Sequence, residues 1–174
     1  MQKYLFINID KCTGCRICEI WCSFSKTEEC GPGYSRVRGY PMESEGINVP
    51  IICNHCQEAY CMAICPSGAL TRHNETGAVI YDHNTCIGCR ACIVACPFGA
   101  IFLDIDGKIL KCDLCNGEPV CAKHCPVDAI VFERSELLAI PKQKLNSQKM
   151  AKSLISESRV SNAALSLSGD LGFE

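Results

Sequence analysis

The sequence has no long apolar run and no export signal. Its 174 residues contain no stretch near the 18 apolar residues that a membrane-spanning helix needs. The first ten residues, MQKYLFINID, hold one lysine and a short run that Asn8 and Asp10 interrupt, so the apolar region and cleavage site of a secretory signal are missing. We therefore expect a cytoplasmic protein, with export beside a signal-bearing partner as the alternative.

Blocks of like charge and catalytic signatures are also missing. The formal net charge is −2 and the lysines and arginines do not cluster, which argues against a nucleic-acid-binding protein. There is no glycine-rich phosphate loop, no nucleophile–base signature and no flavin or nicotinamide fingerprint. The sequence thus predicts a chain without catalytic residues of its own.

Cysteine is what the sequence has in abundance. Seventeen cysteines in 174 residues is the proportion found in disulfide scaffolds and metal-rich proteins. Thiols stay reduced in the cytosol, so a cytoplasmic chain favours metal or redox chemistry over disulfides. Sixteen of the cysteines fall into four motifs, here numbered one to four in chain order: CTGCRICEIWC (12–22), CNHCQEAYCMAIC (53–65), CIGCRACIVAC (86–96) and CDLCNGEPVCAKHC (112–125).

The motifs are copies of one structural unit. Strand-like residues lead into three of them, and β-prone residues follow the endings CPSGAL, CPFGAI and CPVDAI. The pattern predicts an α+β fold of short antiparallel strands and short helices, with four units over residues 1–135. Motif one differs, because Ser23 replaces the proline and a polar insert runs to residue 50. Residues 136–174 hold no cysteine and are expected to form an irregular tail, either disordered or docking a partner.

The cysteine spacing predicts iron–sulfur clusters. A C-x₂-C-x₂-C-x₃-C-P run is the arrangement of bacterial ferredoxins, in which three thiolates bind one 4Fe–4S cube and the fourth binds the other cube. Gly14 and Gly88 suit the sharp loop, because glycine accepts a positive φ. Four units thus predict four cubes and sixteen ligands, leaving only Cys30 over. The loops of motifs two and four are longer between the second and third cysteines but still able to bring a third sulfur to the cube.

Other cysteine chemistries fit less well. Zinc ribbons place two C-x₂-C pairs about 15–20 residues apart, whereas each motif here holds four cysteines within 11 to 14 residues. Disulfides would need an oxidising compartment. His55 and His124 lie inside motifs and are expected at the surface or beside the cluster ligands rather than as ligands themselves. Trp21 is expected in the core or shielding a cluster, and Cys30 as a free thiol or a partner contact.

Residues 1–135 resemble the four-cluster ferredoxin-like electron-transfer subunits of molybdenum and tungsten oxidoreductases. The resemblance rests on the four motifs in this order, and the stretch EGINVPIICNHCQEAYCMAICPSGAL is most similar to small iron–sulfur subunits of bacterial tungsten enzymes of the aldehyde:ferredoxin oxidoreductase family, which include that of the benzoyl-CoA reductase complex. It implies two interleaved dicluster modules: units one and four (about 1–30 and 107–135), and units two and three (about 50–106).

The resemblance also implies which cysteines share a cluster. We number the four sets as sites: site 1 is Cys12, Cys15, Cys18 and Cys125; site 2 is Cys112, Cys115, Cys121 and Cys22; site 3 is Cys53, Cys56, Cys61 and Cys96; site 4 is Cys86, Cys89, Cys92 and Cys65. The spacing alone indicates that the fourth cysteine is exchanged between units, and the resemblance supplies the choice of partner.

The implied function is the relay of single electrons through four 4Fe–4S clusters. The expected partners are a large tungsten- or molybdenum-pterin catalytic subunit, a flavin protein or ferredoxin as the second redox partner, and another copy of the chain. The alternatives are the iron–sulfur subunit of a hydrogenase, carbon monoxide dehydrogenase or formate dehydrogenase, and a freestanding polyferredoxin.

Overall fold

The computed structural model describes residues 3–134, and the tail expected over residues 136–174 lies outside them. Each cysteine motif carries one helix, and short strands flank the motifs. The helices are α1 (Ile17–Thr27), α2 (Tyr60–Ala63), α3 (Ala91–Ala95) and α4 (Val120–Lys123). The strands are β1 (Lys3–Ile7), β2 (Arg38–Met42), β3 (Ile47–Ile51), β4 (Leu70–Arg72), β5 (Val79–Tyr81), β6 (Ile101–Leu103), β7 (Ile109–Lys111) and β8 (Ile130–Arg134).

The strands form four separate two-stranded sheets. β1 pairs with β8, β2 with β3, β4 with β5 and β6 with β7. In the last two hairpins Leu70 lies opposite Tyr81, and Ile101 lies opposite Lys111. β1 precedes motif one and β8 follows motif four, so their pairing brings the first and last units together. The predicted α+β fold of short strands and short helices is confirmed.

The helices also pack in pairs. α1 of motif one packs against α4 of motif four, and α2 of motif two packs against α3 of motif three. Apolar side chains and cysteines share the core around each pair: Val37, Ile52 and Ile130 surround Cys22 and Cys121, while other aliphatic residues surround Cys92. Such small cores bury little apolar surface, so bound metal is expected to supply much of the folding free energy.

Helix length follows the residue after the last cysteine of each motif. Proline disfavours helical geometry in the residue before it, and α2, α3 and α4 all end before their Cys-Pro pair. Ser23 stands in that place in motif one, and α1 continues through Cys22 to Thr27, eleven residues in all. The missing proline therefore lengthens the helix.

The insert after motif one contains a hairpin that the sequence interpretation missed. β2 and β3 pair antiparallel from Arg38 opposite Ile51 to Met42 opposite Ile47. Two side-chain contacts fasten the hairpin to the rest of the chain. Glu19 of α1 accepts a hydrogen bond from the Gly39 N–H, and Arg38 Nη2 donates to the Leu103 carbonyl at 3.0 Å. The alternation in RGYPM and INVPI, separated by ESEG, was the signal available in the sequence.

The cysteine loops share one backbone conformation. The residue before the second cysteine has a positive φ in all four motifs: +69° at Gly14, +45° at His55, +74° at Gly88 and +57° at Leu114. A side chain in this region costs roughly 1–2 kcal/mol relative to glycine. His55 and Leu114 accept it where their side chains are buried, at 4% and 2% exposure. Packing around these two side chains therefore maintains the turn without glycine.

Candidate metal centres

Four cysteines from two motifs line one cavity at site 3. Cys53, Cys56 and Cys61 come from motif two and Cys96 comes from the end of motif three. The cavity encloses about 370 Å³, including space open to solvent, and His55 and Lys111 also line it. The set of thiols that meets here is the one that the resemblance implied for site 3.

Site 4 repeats this arrangement with the motifs exchanged. Cys86, Cys89 and Cys92 of motif three and Cys65 of motif two line a second cavity of about 320 Å³, open solvent included. α2 and α3, which carry the third cysteines of the two sets, pack side by side between the cavities. The close packing of these helices explains how each motif reaches both cavities.

The cysteines of sites 1 and 2 lie around α1 and α4. Burial, followed by the charges of the nearby Cys112, Cys22 and Cys115, raises the pKa of the Cys121 thiol, which places all four site 2 cysteines in one neighbourhood. At site 1, Cys12 and Cys15 lie near Cys18, and Cys18 and Cys125 both pack against the core cluster that contains Cys121.

Cysteines of successive sites lie near one another or belong to the same packed cluster. Cys18 of site 1 lies near Cys121 of site 2. Cys112 of site 2 and Cys53 of site 3 belong to one buried cluster with Ala100. Cys61 of site 3 packs with Cys92 of site 4 in another. The sites therefore follow one another in the order 1, 2, 3, 4.

Several of the thiols are buried deeply enough to resist ionisation. Burial is the largest cause that raises the pKa of Cys18 and of Cys112 to about 12, from the ordinary 9.0. Burial likewise raises the pKa of Cys22, Cys61 and Cys92. A thiol binds metal as the thiolate, so binding at these positions must release protons and must supply the free energy that burial of the charge costs.

The cysteine sulfurs accept hydrogen bonds from nearby backbone. The N–H of Arg36 donates to Cys22 Sγ at 3.3 Å, that of Gly88 to Cys86 Sγ at 3.3 Å, and that of Ala129 to Cys125 Sγ at 3.2 Å. Hydrogen bonds to cluster sulfur are one of the means by which proteins set the reduction potential of an iron–sulfur cluster.

A single metal ion and an iron–sulfur cluster place different demands on the thiols that bind them. Within residues 3–134, no three His, Cys, Asp or Glu side chains lie close enough together to hold one metal ion. A tetrahedral zinc site with Zn–S bonds of about 2.3 Å needs its sulfurs about 3.8 Å apart. At sites 3 and 4 four cysteines line each cavity, and a set of four could supply one thiolate to each iron of a 4Fe–4S cube.

Site 3 has two buried polar side chains beside its cysteines. Lys111 Nζ donates to Cys53 Sγ at 2.9 Å, and the lysine is only 4% exposed. His55 is equally buried, and burial followed by the nearby Lys111 cation lowers its pKa to about 3. Of the two positions expected for His55, the one beside the cluster ligands is confirmed and the one at the surface is not. The imidazole fills the turn of motif two and accepts a hydrogen bond from the Val79 N–H.

Asp113, one of two acidic residues in motif four, orders the start of that loop. Asp113 accepts hydrogen bonds from Lys26 Nζ at 2.7 Å and from the Cys115 N–H at 3.0 Å. Burial would raise the pKa of this carboxyl, but the hydrogen bonds from Lys26 and Cys115 outweigh it, and the pKa is lowered. The ion pair also ties the end of α1 to motif four.

The remaining residues singled out by sequence lie at the surface or close to it. Trp21 is 37% exposed and stacks on His124 with ring centroids 3.7 Å apart, so it is not in the core. Cys30 is an exposed free cysteine. No helix among residues 3–134 is long and apolar enough to cross a membrane.

Comparison with known proteins identifies the family. Residues 45–135, just over half of the chain, match the family model for the 4Fe–4S dicluster domain. The chain belongs to this 4Fe–4S dicluster family. The match covers motifs two, three and four, so the resemblance drawn from the sequence and the prediction of iron–sulfur clusters are confirmed.

The chain is similar to subunits of two oxidoreductases and to an electron transport protein. It is 39% identical over 123 residues to the polyferredoxin-like subunit of aliphatic sulfonate oxidoreductase from Pyrococcus furiosus, covering 70% of each protein. It is 36% identical over 150 residues to the B subunit of anaerobic dimethyl sulfoxide reductase from Escherichia coli, covering 75% of this protein and 73% of that one. With electron transport protein HydN of Escherichia coli it shares 30% identity over 169 residues, covering 83% and 95%.

A solved structure is similar over most of the chain. The active site complex BamBC of benzoyl coenzyme A reductase, in complex with benzoyl-CoA, contains a chain with 29% identity and a TM-score of 0.45, covering 87% of this chain and 96% of that one. The family and the curated relatives confirm the predicted function, that of an iron–sulfur electron-transfer subunit of an oxidoreductase complex.

Proposed function

We propose that this chain carries four 4Fe–4S clusters and relays single electrons between a tungsten- or molybdenum-pterin catalytic subunit and a second redox partner. The observation that carries the proposal is the meeting of cysteines from two motifs around each of the two cavities at sites 3 and 4. Each bound cluster supplies the capacity to take up and release one electron. The chain itself supplies ligands, insulation and spacing, and performs no catalysis.

The proposed ligands are the sixteen cysteines of sites 1 to 4. Exchange of the fourth cysteine between motifs is supported by the position of Cys96 beside motif two and of Cys65 beside motif three. For sites 1 and 2, the grouping of Cys22 with Cys112, Cys115 and Cys121 supports the same exchange between motifs one and four. A cube bound to cysteines on two motifs fastens those motifs to each other, so ligation also stabilises the fold.

The serial order of the sites supports a relay. At each of the three junctions, cysteines of successive sites lie near one another or belong to the same packed cluster. The two terminal sites each contain an exposed cysteine, Cys15 at site 1 and Cys89 at site 4, whereas Cys53 and Cys112 at the central junction are buried. Exposed ends and a buried middle are what a relay between two protein partners requires.

The nature of the catalytic partner follows from the motifs and the relatives. Similarity to the polyferredoxin-like subunit of aliphatic sulfonate oxidoreductase and to the B subunit of anaerobic dimethyl sulfoxide reductase supports a multi-subunit oxidoreductase. The tungsten- or molybdenum-pterin cofactor is what the resemblance of the four motifs implies. Substrate chemistry would then belong entirely to the catalytic subunit.

Purification of the chain in its native complex under anaerobic conditions tests the proposal. We expect about 16 iron and about 16 acid-labile sulfide per chain, the content of four cubes. We also expect a larger subunit that contains tungsten or molybdenum together with pterin. A chain that folds with zinc and without sulfide would contradict the cluster assignment, and a partner without pterin metal would contradict the partner assignment.

A second function has support from one relative. Similarity to electron transport protein HydN extends over 95% of that protein and favours a freestanding electron carrier. In that case the chain would be isolated with its iron and sulfide but without a larger subunit, and it would exchange electrons with soluble redox proteins.

A further inference from the structure

Lys111 is a buried cation in contact with a proposed cluster ligand. Its Nζ donates to Cys53 Sγ at 2.9 Å, to the Val79 carbonyl at 3.0 Å and to the Cys112 carbonyl at 3.2 Å. With 4% exposure, the ammonium is largely shielded from water, so its charge on the sulfur is screened less than that of a surface lysine would be. Cys53 and Cys112 belong to sites 3 and 2, and the lysine therefore lies at their junction.

His55 brings a second donor to the same cavity. Its Nδ1 accepts a hydrogen bond from the Val79 N–H at 2.9 Å, so Nδ1 carries no proton. An imidazole carries at least one ring proton, which must then be on Nε2. Nε2 is buried and has no hydrogen-bond partner among residues 3–134. A buried donor normally has an acceptor, and His55 lines the cavity in which a cluster would offer several sulfurs.

The backbone at His55 is strained, and packing maintains it as it does at the buried Leu114 of motif four. The φ of His55 is +45°, in the region where motifs one and three have Gly14 and Gly88. Glycine would make the same turn without the strain that a side chain adds. The hydrogen bond to Val79 holds the ring in place, and strained residues of this kind concentrate at functional sites.

At site 4, the partner of site 3 in the same pair of motifs, the hydrogen bonds to sulfur come from neutral groups. The Gly88 N–H donates to Cys86 Sγ at 3.3 Å, and the Ser67 hydroxyl lies 3.7 Å from Cys65 Sγ. Neutral donors stabilise added negative charge less than a cation does. Arg90 also lines the site 4 cavity, but it is exposed, so solvent screens its charge more than it screens the charge of the buried Lys111. The two cavities therefore differ in the burial of their cations, although four cysteines line each of them.

We propose that Lys111 and His55 raise the reduction potential of the cluster at site 3 above that of the cluster at site 4. Reduction adds one electron to a cluster, and both the ammonium and the Nε2–H donor favour the more negative state. An electron within the relay then resides preferentially on the site 3 cluster, beside the junction of sites 2 and 3. The inference rests on the proposed function, since it requires clusters at both sites.

An anaerobic potentiometric titration of the full-length chain, followed by electron paramagnetic resonance, tests the inference. The variants are Lys111→Met, which removes the cation, and His55→Gly, which gives motif two the glycine of motifs one and three and so retains the turn. The control is Lys11→Met, because Lys11 also precedes the first cysteine of its motif but is exposed. The signal that is lost in Cys56→Ala identifies site 3.

We expect Lys111→Met to disfavour reduction of site 3 by about tenfold, which is 59 mV for a one-electron couple. We expect about threefold from His55→Gly and less than twofold from Lys11→Met. Lys111→Arg should keep the potential close to that of the parent. If Lys111→Met binds fewer clusters than the parent, the site 3 potential of Lys111→Gln is compared with that of Lys111→Arg. This pair again compares a neutral side chain with a cationic one.

Failure of the inference and failure of the proposed function give different results. A parent chain that binds fewer than four clusters, as judged by iron and sulfide, overturns the proposed function before any variant is compared. A parent with four clusters in which neither Lys111→Met nor His55→Gly shifts the site 3 signal, or in which Lys11→Met shifts it equally, overturns the inference alone. A parent in which the site 4 cluster has a higher reduction potential than the site 3 cluster also overturns the inference alone.

Discussion

Gly14→Ala should weaken the loop of motif one more than Gly88→Ala weakens the loop of motif three. The two glycines occupy equivalent places, with φ of +69° and +74°. A Cβ at Gly14 would lie 2.5 Å from the side-chain amide of Asn48, on strand β3, whereas a Cβ at Gly88 would meet nothing within 4 Å. The pair therefore separates the cost of the positive φ from the cost of the contact.

The expected magnitudes follow from these two terms. A side chain at positive φ costs about 1–2 kcal/mol at either position. At Gly14 the Asn48 side chain must also move out of its rotamer, which adds about 0.5–1.5 kcal/mol. Gly14→Ala should thus cost about 1.5–3.5 kcal/mol, and the double variant Gly14→Ala with Asn48→Ala should return to the cost of Gly88→Ala.

The assay measures how fast the visible absorbance of the clusters is lost in guanidinium chloride in the presence of an iron chelator. The rate for each variant is compared with the rate for the parent. Because about 1.4 kcal/mol corresponds to a factor of ten, we expect Gly14→Ala to bleach roughly two- to tenfold faster than Gly88→Ala. Asn48→Ala alone is the control. Equal bleaching of the two glycine variants, or no rescue by Asn48→Ala, would refute the packing of the hairpin on the motif one loop.

Three further predictions concern ligands and pH. The double variant Cys56→Ala with Cys96→Ala removes two ligands of site 3 and should keep about 12 iron per chain, as each single variant does. The double variant Cys56→Ala with Cys65→Ala affects sites 3 and 4 and should keep about 8. Equal loss of iron in the two double variants would reject the exchange of ligands between motifs. The raised pKa of Cys112, about 12 against the ordinary 9.0, means that the stability which the neutral thiol contributes to any fold of the cluster-free chain is present below pH 9 and decreases as the pH rises from 9 to 12. Denaturant unfolding followed by circular dichroism would detect this decrease, and a free energy of unfolding that does not change between pH 9 and 12 would contradict it. Because the pKa of Asp113 is lowered, its carboxylate stabilises the fold above pH 3.8, the ordinary pKa, and this contribution should disappear as the pH falls through the folded pKa. In Asp113→Asn the free energy of unfolding should therefore change less with pH in this range. A profile that matches that of the parent would contradict the prediction.

The repeated cysteine spacing made the elements around each motif predictable. The strands after CPSGAL and CPFGAI, β4 and β6, lie where β-prone residues follow the proline. This succeeds because the loop, helix and strand of each unit are local in sequence and depend on turn and capping chemistry. The length of α1 follows from Ser23 by the same local logic, although its consequence became clear only in the structure.

Contacts between distant residues could not be predicted in this way. Lys111 and Cys53 are 58 residues apart, and nothing in either motif indicates that the ammonium reaches the sulfur. The burial of His55 depends on Val79 of strand β5, which supplies its hydrogen bond. The hairpin β2–β3 was missed because its residues were interpreted as a polar insert, and only its packing near Gly14 shows what it contributes.

The most direct test of the account is the iron and acid-labile sulfide content of the anaerobically purified chain, measured together with the number of redox-active signals. The account predicts about 16 iron and about 16 sulfide per chain and four one-electron signals, in line with four cubes on sixteen cysteines. A well-folded chain with half that content and two signals, or one with zinc in place of iron and no sulfide, would contradict it.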